Sequence, residues 1–204
     1  MVHAKYLDVE TSFADQCALF APQFFYLRHG ETDFHGAKRI CGGASDPVLN
    51  AVGLKQAEAT ALAIKKAKCG IKTICSSDLL RNIQTTDFVH DRIPAKVRVF
   101  EALRERHLGS WEGAEMATLA DRWSGGLGVD APPGGGESLE AFSKRIQAAV
   151  LHCLQLPAPV LFVGHGIFGL HLQKLLGIDP PTKVGRGEWF EFVHDGPRWR
   201  MVMR

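Results

Sequence analysis

Two short runs of consecutive apolar residues constrain the fold of this chain more than any other feature of its sequence. They span residues 24–27 and 160–163, and each is followed by one further residue and then by a His-Gly pair, His29-Gly30 and His165-Gly166. Continuous apolar runs of this length are typical of strands that are covered on both faces. The runs therefore predict buried strands inside a layered domain, with a histidine just beyond the end of each.

The rest of the chain alternates between strand and helix patterns. Residues 71–75 and 97–100 are weaker strand candidates. Apolar residues recur at helical spacing after two residues that often cap helices, with Leu54, Ala57, Ala61 and Ile64 after Asn50, and Leu139, Phe142, Ile146, Val150 and Cys153 after Ser138. Near the end, Phe190 and Phe192 alternate with charge and Asp195-Gly196 precedes Trp199, which predicts a β-hairpin. Strands separated by helices predict an α/β domain with a largely parallel sheet.

Charge and composition narrow the classes of partner and of location. Lys and Arg total 24 and Asp and Glu total 22, a net charge of +2, which argues against a nucleic-acid or membrane partner.

No stretch reaches the ~18 to 20 apolar residues that span a bilayer. Asp8 and Glu10 stand where a signal peptide would be apolar, so we expect a cytoplasmic protein. The five cysteines form no CxxC pair, and we expect reduced thiols rather than a zinc site.

Charged and polar side chains follow each predicted strand. Ligands of α/β sheets bind beyond the carboxyl ends of the strands, so these side chains should share one rim. The segments are residues 28–32, residues 76–78 with Arg81, residues 103–107 and residues 164–166. Their histidines, arginines and glutamate suit phosphoryl transfer from a monoester, which needs a nucleophile, cations around the phosphate oxygens and an acid for the leaving group. Neutral imidazole can attack and arginine can hold two phosphate oxygens at once, so this set requires neither a metal nor a cofactor.

The same segments resemble the ordered motifs of the histidine phosphatase superfamily. Arg28-His29-Gly30-Glu31-Thr32 resembles the family signature, residues 76–85 its second arginine segment, residues 103–113 its acid segment, and residues 164–166 its second histidine. The resemblance implies the phosphoglycerate mutase-like fold, a three-layer α/β/α sandwich with a mostly parallel central sheet. We expect one domain over residues 1–204, with an N-terminal extension at 1–23 and a lid-like insertion at 114–136.

The resemblance also implies a role for each matching residue. His29 would be phosphorylated, while Arg28, Arg81 and His165 would hold the phosphate. Glu105 would protonate the leaving oxygen and then deprotonate the water that releases phosphate. His29 must be neutral and Glu105 protonated for the first step, so the two pKa values should move toward each other. This predicts a bell-shaped rate profile on the acidic side of neutral.

Other residues of these segments have secondary roles. Glu31 is an alternative acid, and Glu112 is expected to be structural. Gly30 and Gly166 would let the backbone approach the phosphate closely.

One position departs from the family. His35 stands three residues after Thr32, where the family usually has asparagine. His35 could donate a hydrogen bond to phosphate and add charge below its pKa. It could instead turn away and leave that contact to Thr32 or to a backbone N–H, and both possibilities stay open.

The leaving-group side of the site is poorly defined by the sequence. Phe34, Arg39, His107, Trp111 and Trp123 lie near the motifs and are candidate lining residues, although core packing is the commoner role of Trp and Phe. We expect a small-molecule phosphate ester as substrate, without choosing among sugar, nucleoside-like and cobalamin-pathway esters.

Alternative functions remain to be weighed. Cys75 and Arg81 have the C-x5-R spacing of cysteine-based phosphatases, but Asp78 between them opposes a thiolate. A mutase would return the phosphate to another hydroxyl group and would need to enclose its substrate. Residues 114–136 contain a single basic residue, Arg122, for that purpose, so we favour hydrolysis. A catalytically silent phosphate-binding domain is a further alternative. The extension at 1–23 could be an edge strand, a contact arm in a homodimer or a packed tail.

Overall fold

The computed structural model describes residues 11–119 and 129–204 of the chain. Its described residues form one six-stranded sheet with the strand order β3-β2-β4-β1-β5-β6. The strands are β1 (Gln23–Arg28), β2 (Thr73–Ser76), β3 (Lys96–Val99), β4 (Val160–Gly164), β5 (Trp189–His194) and β6 (Trp199–Met203). β3, β2, β4 and β1 run parallel, and the closing hairpin of β5 and β6 begins with a strand antiparallel to β1. The predicted α/β fold with a mostly parallel sheet is confirmed.

Helices cover both faces of the sheet. They are α1 (Phe13–Phe20), α2 (Asp33–Gly36), α3 (Ala51–Ala67), α4 (Leu80–His90), α5 (Leu139–Leu154) and α6 (Gly166–Leu175). Both predicted caps are present, because the side chain of Asn50 accepts the N–H of Gly53 and that of Ser138 accepts the N–H of Ala141.

The sheet separates two hydrophobic cores because successive side chains of a strand point to opposite faces. Phe24 and Tyr26 of β1 join the core under α1, α5 and α6. Phe25 and Leu27 join the core that includes residues of α3 and α4. This arrangement is the expected three-layer sandwich.

The face that α3 buries differs from the prediction at one position. Leu54 is 39% exposed, whereas Ala57, Ala61 and Ile64 are buried as expected. Gly53 lies at the interface instead, because a Cβ there would come within 2.0 Å of the carbonyl oxygen of Glu31. The start of α3 therefore packs backbone to backbone on the segment that follows β1, which leaves no room for a leucine on that side.

The described part of the N-terminal extension is a packed helix. Phe13 and Cys17 of α1 are buried in the core, and the indole N–H of Trp199 donates to the carbonyl of Ala14 (3.0 Å). The edge-strand alternative is therefore wrong for residues 11–22, since β3 and β6 form the edges of the described sheet. Residues 1–10 lie outside the described residues.

The lid-like insertion is described only at its two ends. Residues 116–119 form a short 3-10 helix, and the carbonyl of Pro133 accepts the N–H of Ser110 at 2.9 Å. Residues 120–128, with Arg122 and Trp123, lie outside the described residues. In the parts of the chain that the structure covers, no helix has both the length and the apolar character needed to cross a membrane.

Candidate active site

Two histidines meet at the carboxyl ends of neighbouring parallel strands. Arg28 of β1 pairs in register with Gly164 of β4, so the residues that follow them come side by side. The imidazole rings of His29 and His165 lie 5.2 Å apart between centroids, and both are buried. The sequence prediction that these residues share one rim is confirmed by this geometry.

The ring of His29 is held in a single tautomer. Its Nδ1 lies 2.7 Å from the carbonyl oxygen of Gly30, and a carbonyl only accepts, so Nδ1 carries the proton. Nε2 is then an unprotonated nitrogen with a free lone pair. Burial, followed by the charges of Arg81, His165 and Arg28, places the pKa of His29 well below its usual range. The buried imidazole is therefore neutral and equipped to act as a nucleophile.

His165 is anchored through both its backbone and its side chain. The phenol of Tyr26 donates to its carbonyl oxygen (2.5 Å), and its Nε2 lies 2.9 Å from the hydroxyl of Ser77 at the end of β2. Burial and the charges of Arg81 and Arg28 lower the pKa of His165 well below its usual range. Neither Tyr26 nor Ser77 was assigned a role from the sequence, although Ser77 stands at a strand end, where such a role could have been expected.

Two arginines flank this pair of histidines, Arg81 buried and Arg28 half-buried. Arg28 donates through Nη1 to the carbonyl of Val184 (2.7 Å), and Arg81 donates to the carbonyls of Ser45 (2.7 Å) and Gly42 (3.0 Å). These bonds fix both guanidinium groups but leave each Nε without a hydrogen-bond partner among the described residues.

Unpartnered buried nitrogens therefore cluster at this rim. They are Nε of Arg28, Nε of Arg81 and Nδ1 of His165. A buried donor without an acceptor costs about 1–3 kcal/mol, so such a cluster calls for acceptors from outside the protein, either a ligand or water. An anion with several oxygens, such as phosphate, fits the two guanidinium groups, and Nδ1 of His165 donates to it in the tautomer whose Nε2 accepts from the hydroxyl of Ser77.

Thr32 and His35 form one unit. The backbone N–H of Thr32 points to Nδ1 of His35 (3.3 Å), and the Thr32 hydroxyl lies 2.8 Å from the same nitrogen. Nδ1 is therefore an acceptor, and the proton of the neutral ring is on Nε2. The ring lies 5.5 Å from that of His29 between centroids.

The surroundings of His35 determine its charge state. Burial, with the charges of Arg186 and Arg28, lowers the pKa of His35 to about 3. The ring therefore adds no charge near neutral pH. The neutral ring offers one N–H donor through Nε2, as an asparagine amide also would, while Thr32 is buried and engaged with His35.

Glu105 lies at the N-terminus of α6. Its Oε2 accepts the N–H of Ile167 (2.8 Å), and its Oε1 accepts the N–H groups of Phe168 and Arg106 (both 3.0 Å). These donors favour the carboxylate, but burial outweighs them and raises the pKa of Glu105 above its ordinary value. The pKa values of His29 and Glu105 thus move in the two directions that the predicted chemistry requires.

Salt bridges and backbone contacts position the segment that carries Glu105. Arg104 forms a salt bridge with Asp78 beyond β2. Arg145 of α5 donates to the carbonyls of Ala102 (2.9 Å) and Arg104 (3.0 Å). Sequence reasoning missed Arg145, because a helical apolar pattern identifies only the residues that face the core.

The other two glutamates near the site have structural partners. Glu112 accepts the N–H groups of Ser45 (2.6 Å) and Leu108 (2.9 Å), which ties two loops together. Glu31 accepts the side-chain amide of Asn50 (3.1 Å) and lies 3.5 Å from Nη1 of Arg186.

Gly30 and Gly166 both allow close packing within the chain. A Cβ on Gly30 would lie 2.4 Å from the carbonyl oxygen of Gly53, so this glycine allows α3 to approach. A Cβ on Gly166 would lie 3.0 Å from the guanidinium of Arg28. Gly166 thus makes room for the arginine, and Gly30 makes room for a helix.

A cavity of about 260 Å³ opens beside this cluster. Its lining combines cationic, apolar and other residues, namely Arg28, His35, Arg39, Glu105, Lys183 and Arg186 with Ile40, Cys41, Met116, Gly166, Ile167 and Leu170. Sequence reasoning missed Lys183 and Arg186, which belong to no motif.

The candidate leaving-group residues have separate positions. Arg39 lines this cavity, whereas His107 lines a neighbouring one with Glu105 and Arg145. Trp111 is buried in the core and Phe34 is half-buried.

The cysteine-phosphatase alternative does not fit the structure. Cys75 is fully buried inside β2, and a hydrogen bond with Cys153 together with burial raises the pKa of its thiol. A thiolate nucleophile is disfavoured at this position. All five cysteines are free thiols, three of them buried. Within residues 11–119 and 129–204, no three His, Cys, Asp or Glu side chains are grouped to hold a metal ion.

Comparison with protein families decides the affiliation. Residues 24–202 match the model of the histidine phosphatase superfamily (branch 1). The chain belongs to the histidine phosphatase superfamily. The predicted family and its phosphoglycerate mutase-like fold are thereby confirmed.

Relatives of this histidine phosphatase carry two kinds of name. The probable phosphoglycerate mutase GpmB of Proteus mirabilis is 39% identical over 166 residues, 76% of this chain and 75% of that protein. A mycobacterial glucosyl-3-phosphoglycerate phosphatase, solved with VO3, superposes with a TM-score of 0.74 at 29% identity, over 89% of this chain and 97% of that one. A phosphoglycerate mutase from Thermus thermophilus gives a TM-score of 0.70 at 32% identity, over 88% of this chain and 96% of that one. The superfamily thus includes proteins named as mutases and as phosphatases.

Proposed function

We propose that this histidine phosphatase hydrolyses small phosphate monoesters through a phosphohistidine at His29. The observation that carries the proposal is the set of unpartnered, buried donor nitrogens around a neutral imidazole whose Nε2 lone pair is free. A phosphate group supplies the acceptors that Arg28, Arg81 and His165 lack. The neutral Nε2–H of His35 adds one more donor to the same anion.

In the first step the lone pair on Nε2 of His29 attacks phosphorus. The bond between phosphorus and the leaving oxygen breaks as the P–N bond forms, and the proton of Glu105 passes to that oxygen. Arg28 and Arg81 stabilise charge on the equatorial oxygens of the transition state. The bond from Nδ1–H to the carbonyl of Gly30 stabilises the cationic ring that results.

In the second step the carboxylate of Glu105 accepts a proton from water. The water oxygen attacks phosphorus, the P–N bond breaks, and the electron pair returns to Nε2. Glu105 is then protonated and His29 neutral, so both groups are ready for another substrate.

A mutase is the second candidate, favoured by the 39% identity with a probable phosphoglycerate mutase. Hydrolysis is favoured by the composition of residues 114–136. Arg122 is the single basic residue of this insertion, which therefore offers little charge to enclose a substrate and exclude water. The test is to supply 3-phosphoglycerate and other monoesters and to measure inorganic phosphate and isomeric phosphate ester together. Our proposal predicts phosphate release that is abolished in His29→Ala. Isomer formation without phosphate release would establish the mutase, and binding without either product would establish a silent binding domain.

We also propose a cytoplasmic location and a homodimer. Five free thiols are the feature that favours a reducing compartment. Cell fractionation and light scattering of the purified protein test these two points.

A further inference from the structure

Arg186 sits on a loop that is fastened to the end of β1. The N–H of Gly187 donates to the carbonyl of Arg28 (3.0 Å), and Arg28 in turn donates through Nη1 to the carbonyl of Val184 (2.7 Å). The hydroxyl of Thr60 in α3 donates to the carbonyl of Gly187. Gly187 has a φ of 71°, which favours glycine. The backbone of Arg186 is thus fixed beside the residues that hold the phosphate.

The side chain of Arg186 is only partly neutralised. Its Nη1 lies 3.5 Å from Oε2 of Glu31, and its buried Nε has no partner among the described residues. The side chain is 31% exposed and lines the cavity together with Lys183 and Arg39. One long contact with a carboxylate leaves most of its donors available to an incoming group.

Arg186 lies close to two residues of the site. It lines the cavity with Arg28 and His35. Burial lowers the pKa of Arg28 and of His35, and the positive charge of Arg186 lowers both further. The cavity beside the histidines is therefore strongly cationic.

We propose that Arg186, assisted by Lys183, binds a second anionic group carried by the leaving group of the substrate. Arg186 is then a specificity-determining residue that selects phosphate monoesters bearing a carboxylate or a second phosphate. This inference rests on the proposed function for the position of the transferred phosphate. Its physical basis is the repulsion between Arg28 and Arg186 in the empty site, which a second anion relieves.

The test compares substrates that share a skeleton and differ in one charge. 3-Phosphoglycerate and glycerol 3-phosphate differ in a carboxylate, and fructose 1,6-bisphosphate and fructose 1-phosphate differ in a phosphate. Phosphate release is measured with wild type, Arg186→Gln, Lys183→Gln and the control Arg198→Gln, which removes one exposed arginine from the β5–β6 turn. Binding of the same four compounds to His29→Ala, with and without Arg186→Gln, is measured by calorimetry.

We expect wild type to prefer the more anionic member of at least one pair by about tenfold. Arg186→Gln should lose that preference while its kcat/KM for the less anionic member stays within about twofold, and Arg198→Gln should change neither. The pair that responds tells whether a carboxylate or a phosphate is recognised. Equal losses on both members, or no preference in wild type, would overturn the inference.

The calorimetry separates this inference from the proposed function. Suppose that no variant releases phosphate, that His29→Ala binds the more anionic member of a pair more tightly, and that Arg186→Gln removes this difference in affinity. Hydrolysis is then refuted and the second anion site stands. If phosphate is released without any dependence on the second charge, hydrolysis stands and the site is refuted.

Discussion

Replacing Glu105 by glutamine separates its proton-transfer role from its structural role. The carboxylate accepts three backbone N–H groups, and a glutamine oxygen can keep two of them, from Arg106 and Phe168. The amide NH2 would then face the N–H of Ile167, so one hydrogen bond is lost at a cost of about 1–3 kcal/mol. Glu105→Gln therefore keeps the side chain close to its place but leaves it without a transferable proton.

The magnitude of the loss depends on the leaving group. An alkyl phosphate such as glycerol 3-phosphate needs a proton on its leaving oxygen, so its kcat/KM should fall by about 10²–10⁴-fold. p-Nitrophenyl phosphate releases a stable phenolate that needs no proton. The rate at which it phosphorylates His29 should therefore fall only about tenfold, from the small displacement of the side chain at position 105. Its second step still needs Glu105 as a base and should become rate-limiting.

The assay is rapid mixing of Glu105→Gln with p-nitrophenyl phosphate. A burst of nitrophenolate close to the enzyme concentration should precede slow phosphate release. The control is Glu101→Gln, which changes an exposed carboxylate of the same segment and should behave as wild type. Equal losses on both substrates, without a burst, would refute the acid and base roles of Glu105.

Three further outcomes follow from the charge states in the site. His35→Asn should keep kcat/KM within about threefold of wild type, because asparagine supplies the same neutral donor. His35→Ala should lower kcat/KM by about tenfold, because it supplies none. Equal activity of the two variants would contradict this. The kcat/KM profile should be a bell on the acidic side of neutral. Its rising limb, set by His29, should lie below the usual histidine pKa. Its falling limb, set by Glu105, should lie above the usual carboxyl pKa and should be absent in Glu105→Gln. Activity that climbs into alkaline pH would exclude these assignments. The Tm should fall as the pH is lowered from about 7.5 to about 5.5. Imidazoles of the unfolded chain take up protons in that range, whereas four histidines with lowered pKa values stay unprotonated in the folded protein, namely His29, His35, His165 and His171. A constant or rising Tm would show that burial does not hold these histidines neutral.

The candidate site was predictable because its residues follow the ends of strands. An apolar run marks where a strand ends, and in a parallel sheet these ends share an edge, so His29 and His165 could be placed together before their distance was known. Arg81 and Glu105 stand several residues beyond their strands, and the family motifs added an expected role for each of them.

Residues that act through geometry rather than through a motif could not be predicted. Arg145 contacts the acid segment across 40 residues of chain, and only the packing of α5 brings it there. Arg186 stands in a loop whose conformation depends on contacts with β1 and α3. Gly53 rather than Leu54 lies on the buried face of α3, because the helix approaches the backbone of Glu31 too closely for a side chain there. The regular apolar spacing of the helix does not reveal this contact.

The measurement that tests the central claim most directly is trapping of the phosphoenzyme. Wild type is mixed with a ³²P-labelled monoester, quenched within the first turnover, and digested for peptide mapping. Our account predicts an acid-labile, alkali-stable label on the peptide that carries His29, at up to one phosphate per chain, and no label in His29→Ala. Label on Cys75, or phosphate release with His29 unlabelled throughout the first turnover, would contradict it.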